Sequence, residues 1–119
     1  MTKMKKLPSK VYVSGYEYII EEMSEKLHKE REAYGDCCND KKLIRIYCGT
    51  GLSAVRDTLL HEILHAIWHL SYLQNNEEEE KAISRISTAL IGFFDDPRNA
   101  KVKSFLMDPL NDRPTTKAK

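Results

Sequence analysis

The segment TLLHEILHAIWHL, Thr58 to Leu70, constrains this chain more than any other. It is almost wholly apolar, yet it carries His61, Glu62, His65 and His69. Read as a helix, Val55, Leu59, Leu60, Ile63, Leu64, Ala66, Ile67, Trp68 and Leu70 cover most of its circumference, and such a helix is normally buried. Imidazoles and a carboxylate buried there cost several kcal/mol unless they are paired. Each residue of a helix advances about 100°, so His61 and His65 lie about 40° apart, one turn above the other. Two imidazoles stacked in this way can grip one metal ion. Glu62 projects beside that ion rather than onto it, within reach of a water held there.

The spacing His-Glu-x-x-His is a signature of zinc metalloproteases. A catalytic zinc takes three protein ligands and leaves one position open, so a third ligand must come from elsewhere. His69 lies too far along the helix axis for a comfortable third ligand. It fits better as a donor behind the ligands or as a core histidine. Ser71 stands where an extended HExxHxxGxxH motif has its third histidine, which excludes that class. The run Glu77-Glu78-Glu79-Glu80 opens the next helix, where acidic side chains complement the helix dipole. That accounts for some of the four. Glu79 is in register with Ala82, Ile83, Ile86 and Leu90, and Glu80 with Ile83, Ser84 and Ser87. Either points toward a packed face, where a carboxylate needs a cationic partner that zinc would supply.

The rest of the chain frames this helix. In VYVSGYEYII, Val11 and Val13 alternate, then Tyr16, Tyr18 and Ile20, with Ser14-Gly15 as the turn between two strands. Glu21 to Ala33 reads as an amphipathic helix on Ile20, Met23, Leu27 and Tyr34, ending near Gly35. GDCCNDKK is a turn-rich connection, and Leu43 to Cys48 (LIRIYC) a strand. Ser53 is the expected N-cap of the histidine-bearing helix, which runs to about Leu73. A third helix spans roughly Glu78 to Phe94 on Ala82, Ile83, Ile86, Ala89, Leu90 and Phe93, and Asp96-Pro97 ends it. Val102 to Met107 is apolar enough for a last turn. The expected class is α+β: a small N-terminal sheet, made of the hairpin plus an edge strand, packed on the HExxH helix and two further helices. Residues 10–107 form a single domain, preceded by a basic flexible start (1–9) and followed by a disordered tail (108–119).

Composition removes several function classes. With 31% charged residues and a formal net charge of +1, the chain has no strong field for nucleic acid or an anionic membrane. Lys3, Lys5, Lys6 and Lys10 read as a solvated tail, with no interleaved aromatics and no apolar segment behind them to make a signal peptide. No run approaches the ~20 apolar residues of a membrane span. Three cysteines, Cys37, Cys38 and Cys48, without a secretory signal suggest reduced thiols in a cytoplasm. The adjacent Cys37-Cys38 is a poor zinc pair, because structural sites usually space two cysteines by two to four residues.

These pieces resemble the zincin metallopeptidases with a glutamate third ligand, the gluzincins. More narrowly they are similar to the small ImmA/IrrE-like and SprT-like domains, especially short phage-encoded metallopeptidases. The likeness rests on HEILH followed by an EExxxxxIS-type helix, on the strand-Gly-Tyr hairpin VYVSGYEYII, on Tyr34-Gly35-Asp36 and on LIRIY, and covers roughly residues 10 to 97. It implies a third ligand at Glu80, four residues before Ser84 and six before Ile86, with Glu79 the alternative. Relatives often carry Asp or Asn where this chain has Ser84, so a carboxylate that would support a zinc-bound histidine is missing there.

The implied activity is zinc-dependent hydrolysis of a peptide bond in a protein or peptide substrate, such as a cytosolic regulator. Zinc is held by His61, His65 and Glu80, and Glu62 takes the proton of the attacking water and returns it to the leaving amine. Tyr34, Tyr47, His69 and Arg56 are candidate donors to the oxyanion. The strand from Leu43 to Cys48 is expected at the sheet edge, where an extended peptide adds. The alternative is a non-catalytic zinc-binding module of phage origin that docks a partner. A structural zinc tends to be closed by four ligands, whereas three ligands plus a general base favour the enzyme. No motif specifies a nucleic-acid or membrane partner, an oligomeric state or a cleavage sequence.

Overall fold

A computed structural model of the chain describes residues 7–71 and 77–107. The architecture is α+β, a four-stranded mixed sheet with four α-helices among the described residues. Two compact units divide after Ser87: Met1–Ser87, which holds the sheet, and Thr88–Lys119.

Strands β1 (Lys10–Val13) and β2 (Tyr16–Glu22) form the expected hairpin, with Val13 opposite Tyr16. Ser14 (φ 50°) and Gly15 (φ 86°) both take positive φ, the two-residue turn whose twist matches that of the flanking strands. Alternation along β2 sends Tyr18 and Ile20 into the core and Glu17, Ile19 and Glu21 outward. The chain engages the sheet before β1: Leu7 packs against the core, and the Ile20 amide donates to the Ser9 carbonyl at 2.9 Å. Lys10 is an exposed strand residue paired with Ile19, not part of a tail.

The helix expected from Glu21 starts later, as α1 (Glu25–Arg31). Glu21 and Glu22 remain in β2, paired in parallel with Arg45 and Ile46. Ser24 then sets the boundary, since its hydroxyl accepts the Leu27 amide at 3.1 Å as an N-cap. The helix stops at Glu32, which is left-handed (φ 51°), short of the expected Gly35.

GDCC, expected as a turn, is strand β3 (Gly35–Cys38), antiparallel to β4 (Leu43–Ile46). Its pairing is fixed by charge: the Arg45 Nε and Nη2 donate to the two Asp36 carboxylate oxygens at 3.0 and 2.8 Å, directly across the ladder. The sheet order is β1-β2-β4-β3. The expectation that residues 43–48 form the sheet edge is therefore overturned. β4 is interior, with Ile44 and Ile46 fully buried, and β3 takes the edge.

Helix α2 (Leu52–Leu70) packs on β1, β3 and β4. Gly51 (φ 104°) precedes it in place of the expected Ser53 cap, and no side chain caps it. Burial is one-sided rather than all round. Val55 and Ala66 close on the sheet core of Val13, Tyr18, Ile20, Ile44 and Ile46, while Leu52 and Ile67 stay 42% and 41% exposed. The expected end near Leu73 lies outside the described residues.

Helix α3 runs Glu77–Asp95, close to the expected span. Of its anticipated apolar stripe Ile83 is buried, but Ile86 is 44% exposed, and the small Ser87 is buried in its stead. In the second unit Asp96 caps a 3-10 turn over Pro97–Asn99, accepting the Arg98 amide at 2.9 Å. Where a last turn was expected stands an eight-residue helix, α4 (Ala100–Met107). No described helix is long and apolar enough to cross a membrane. The expected basic start at Lys3, Lys5 and Lys6 and the expected tail 108–119 lie outside the described residues.

Candidate metal centre

The third and fourth turns of α2 and the first turn of α3 supply the site. His61 and His65 stack one turn apart, their ring centroids 4.8 Å apart and their Nε2 atoms 3.2 Å apart. Glu80 faces both rings: Oε2 lies 3.0 Å from His61 Nε2 and Oε1 lies 2.9 Å from His65 Nε2. One donor atom from each of the three residues falls within 4.8 Å of the others, so the group could hold a metal ion.

The donor set fits a divalent cation. Ligand atoms at zinc-like bond lengths in a tetrahedral shell stand about 3.3 Å apart, close to the separations here. Two imidazole nitrogens 3.2 Å apart cannot both present lone pairs to each other without a proton or a cation between them. Two imidazoles and one carboxylate are also the donor types of a zinc site that keeps a position open.

The two candidate glutamates part company here. Glu79 does not join the ligand group; its Oε2 lies 2.6 Å from His65 Nδ1, on the far side of the ring from Glu80. Glu79 is 12% exposed in its side chain and Glu80 65%. Ser84, where relatives of the resembled family carry a carboxylate or its amide, donates from Oγ to Glu80 Oε2 at 3.4 Å and so supports the glutamate rather than a histidine.

Glu62 is buried, at 6% exposure, where α2 meets β3. Burial raises its carboxyl, His65 pulls it down and Glu80 and Asp36 raise it, together bringing it to about 7. Gly35 makes the close approach possible. A Cβ there would lie 2.7 Å from Thr58 Cγ2 and 3.3 Å from Glu62 Cγ, so any side chain on Gly35 would drive into the wall beside Glu62. Burial pulls the His65 imidazole down, but its hydrogen bond to Glu79 and the charges of Glu62 and Glu80 outweigh this and raise it. Burial pushes Glu80 up, and His61 and His65 bring it below the usual carboxylate range.

These groups line an open cleft of about 740 Å³, walled by β3 on one side and by α2 and the first turn of α3 on the other. Of the four candidate oxyanion donors, Tyr34 alone lines the cleft, and it is 55% exposed. Tyr47 is instead stacked on His28 at 3.9 Å with its hydroxyl packed over Gly49. His69 and Arg56 are exposed and do not line the cleft, which corrects the expectation that His69 backs the ligands or fills the core.

Sequence reasoning missed three lining residues. Asp36 is held by Arg45 and by Arg31 Nη1 at 2.6 Å. Cys37 is a free thiol that burial, followed by the nearby Glu62 charge, pushes up to about 12, so it stays protonated. Asp57 carries a buried Oδ1 with no hydrogen-bond partner. Only Asp57 left a signal in the sequence: it stands one turn before His61 on the same helix face. Compared with family models, with curated proteins and with solved structures, the chain has no match.

Proposed function

We propose that this chain is a zinc-dependent peptidase of the zincin type. One observation carries the reading: three mutually close donors, from His61, His65 and Glu80, stand beside a buried carboxylate, Glu62, in an open cleft. Zinc, when bound, polarises a peptide carbonyl and acidifies water toward neutrality. Glu62 is the general base. A buried carboxyl near 7 is matched to accepting a proton at neutral pH and to releasing it to the leaving amine nitrogen. Tyr34, the one candidate phenol in the cleft, donates a hydrogen bond to the developing oxyanion. Edge strand β3 offers its free backbone groups to an extended peptide, the role expected of β4 from the sequence. The resemblance to gluzincins and to small phage-encoded ImmA/IrrE-like and SprT-like domains supports a cytoplasmic protein or peptide as substrate.

The test is Glu62→Gln. Zinc content should be unchanged and cleavage of casein or a peptide library should fall by about 10²–10⁴-fold. Undiminished cleavage removes Glu62 from the mechanism. Partner binding by both forms, with cleavage by neither, supports the non-catalytic zinc module instead.

A further inference from the structure

We infer that Glu79 is the positioning residue of His65: its carboxylate accepts the Nδ1 proton and so turns the Nε2 lone pair toward the cation. This rests on the metal reading above.

The argument starts from helix geometry. Consecutive residues of a helix diverge by about 100°, so Glu79 and Glu80 cannot present their carboxylates in the same direction. They meet one imidazole from two sides, Glu79 at Nδ1 (2.6 Å) and Glu80 at Nε2 (2.9 Å). A neutral imidazole carries one proton. The shorter contact, at Nδ1, is to a carboxylate, which only accepts, so Nδ1 carries a proton; with a cation between Nε2, His61 and Glu80, Nε2 is the nitrogen that gives its lone pair. An imidazole ligand whose other nitrogen donates to a carboxylate is fixed in tautomer and ring orientation and is a stronger base.

Glu79 is not a solvated helix-start acid, because its side chain is 12% exposed while the next residue, Glu80, is 65% exposed. Nor does another side chain fill the role from the position the resembled family uses, since Ser84 is bonded to Glu80. The acidic run therefore divides its labour between neighbours: Glu80 faces the cation and Glu79 holds the ring that faces it.

The experiment is a zinc titration against a chromophoric chelator, paired with long-range ¹H–¹⁵N spectra of metal-free full-length protein at a pH high enough that the imidazoles are neutral. Glu79→Ala should weaken zinc binding by about 10–100-fold and release His65 from the Nδ1–H tautomer. Glu79→Gln, which keeps an acceptor oxygen without the charge, should lose less affinity and keep the tautomer; it also carries the comparison if the alanine variant fails to fold. Glu77→Ala, at the exposed helix start, should match the wild type. A purely structural role for Glu79 would lower the melting temperature and leave the tautomer unmoved. Wild-type protein that binds zinc, with Glu79→Ala binding it within about twofold and His65 still Nδ1-protonated, overturns this inference alone. Wild-type protein that binds no zinc overturns the metal reading and this inference together.

Discussion

The two sides of α2 are built on opposite principles. Toward the sheet, Val55 and Ala66 close on Tyr18, Ile44 and Ile46, all at 5% exposure or less, with no charge among them. About 80–120° around the helix from Val55, His61 and His65 make four contacts with each other and with Glu79 and Glu80 of α3, while Glu62, in line with Val55 and Ala66, is buried at the border of the two faces. The first side stabilises by removing apolar surface from water. The second collects groups whose mutual contacts are satisfied only when protons or a cation are correctly distributed. Apolar packing and the imidazole–carboxylate cluster thus lie on different faces of one helix, with Glu62 at their border, and substitutions should separate them.

The largest expected effect is on the sheet side. Ile44→Ala, at a fully buried position, should cost about 2–5 kcal/mol in urea denaturation and leave zinc stoichiometry intact wherever the protein is folded. A cost under about 1 kcal/mol would mean that the sheet is not the main source of stability. Next comes the cation. Saturating zinc at a hundredfold excess over its dissociation constant should raise stability by about 2.7 kcal/mol, and His61→Ala should abolish that gain. A zinc-dependent rise that survives His61→Ala would place the ion elsewhere.

The smallest effect is a slope with pH in metal-free protein. Glu62 is raised in the fold from an ordinary carboxylate value to about 7, so its stabilising contribution is fully present below about 4.5 and is lost as pH rises through about 7. His65, also raised, loses stability in the same direction. Glu62→Gln should therefore flatten the decline between these pH values by about 2 kcal/mol, discounted from the full shift because the cleft is open to water. A steeper decline in the variant would reverse the assignment of burial as the cause.

What the sequence displays of this molecule follows its periodicities. The hairpin is legible because alternation and Ser14-Gly15 agree, and the histidine-bearing helix because His61 and His65 recur at one turn. Strand β3 is not: Gly-Asp-Cys-Cys has no apolar alternation, and its pairing depends on an Asp36–Arg45 contact between residues nine apart. The parallel pairing of β2 with β4, which buries β4 in the middle of the sheet, joins strands separated by α1 and β3 and has no local signature. The start of α1 is not legible because glutamates suit either a helix or an exposed strand position, and the Ser24 cap decides between them. At the site, spacing gave both histidines but left Glu79 and Glu80 open. Their difference lies in which nitrogen of His65 each meets, which no count along the chain contains.

Glu80 comes fifteen positions after His65 and nineteen after His61. Any ion shared by these side chains is a reversible crosslink that ties the start of α3 to the middle of α2. A permanent bridge closing a loop of that size limits the unfolded chain by about 3 kcal/mol in chain-entropy terms. Chelation would then do more than empty a pocket: it would untether one helix from another and hand back the freedom that the tether had taken from the unfolded ensemble.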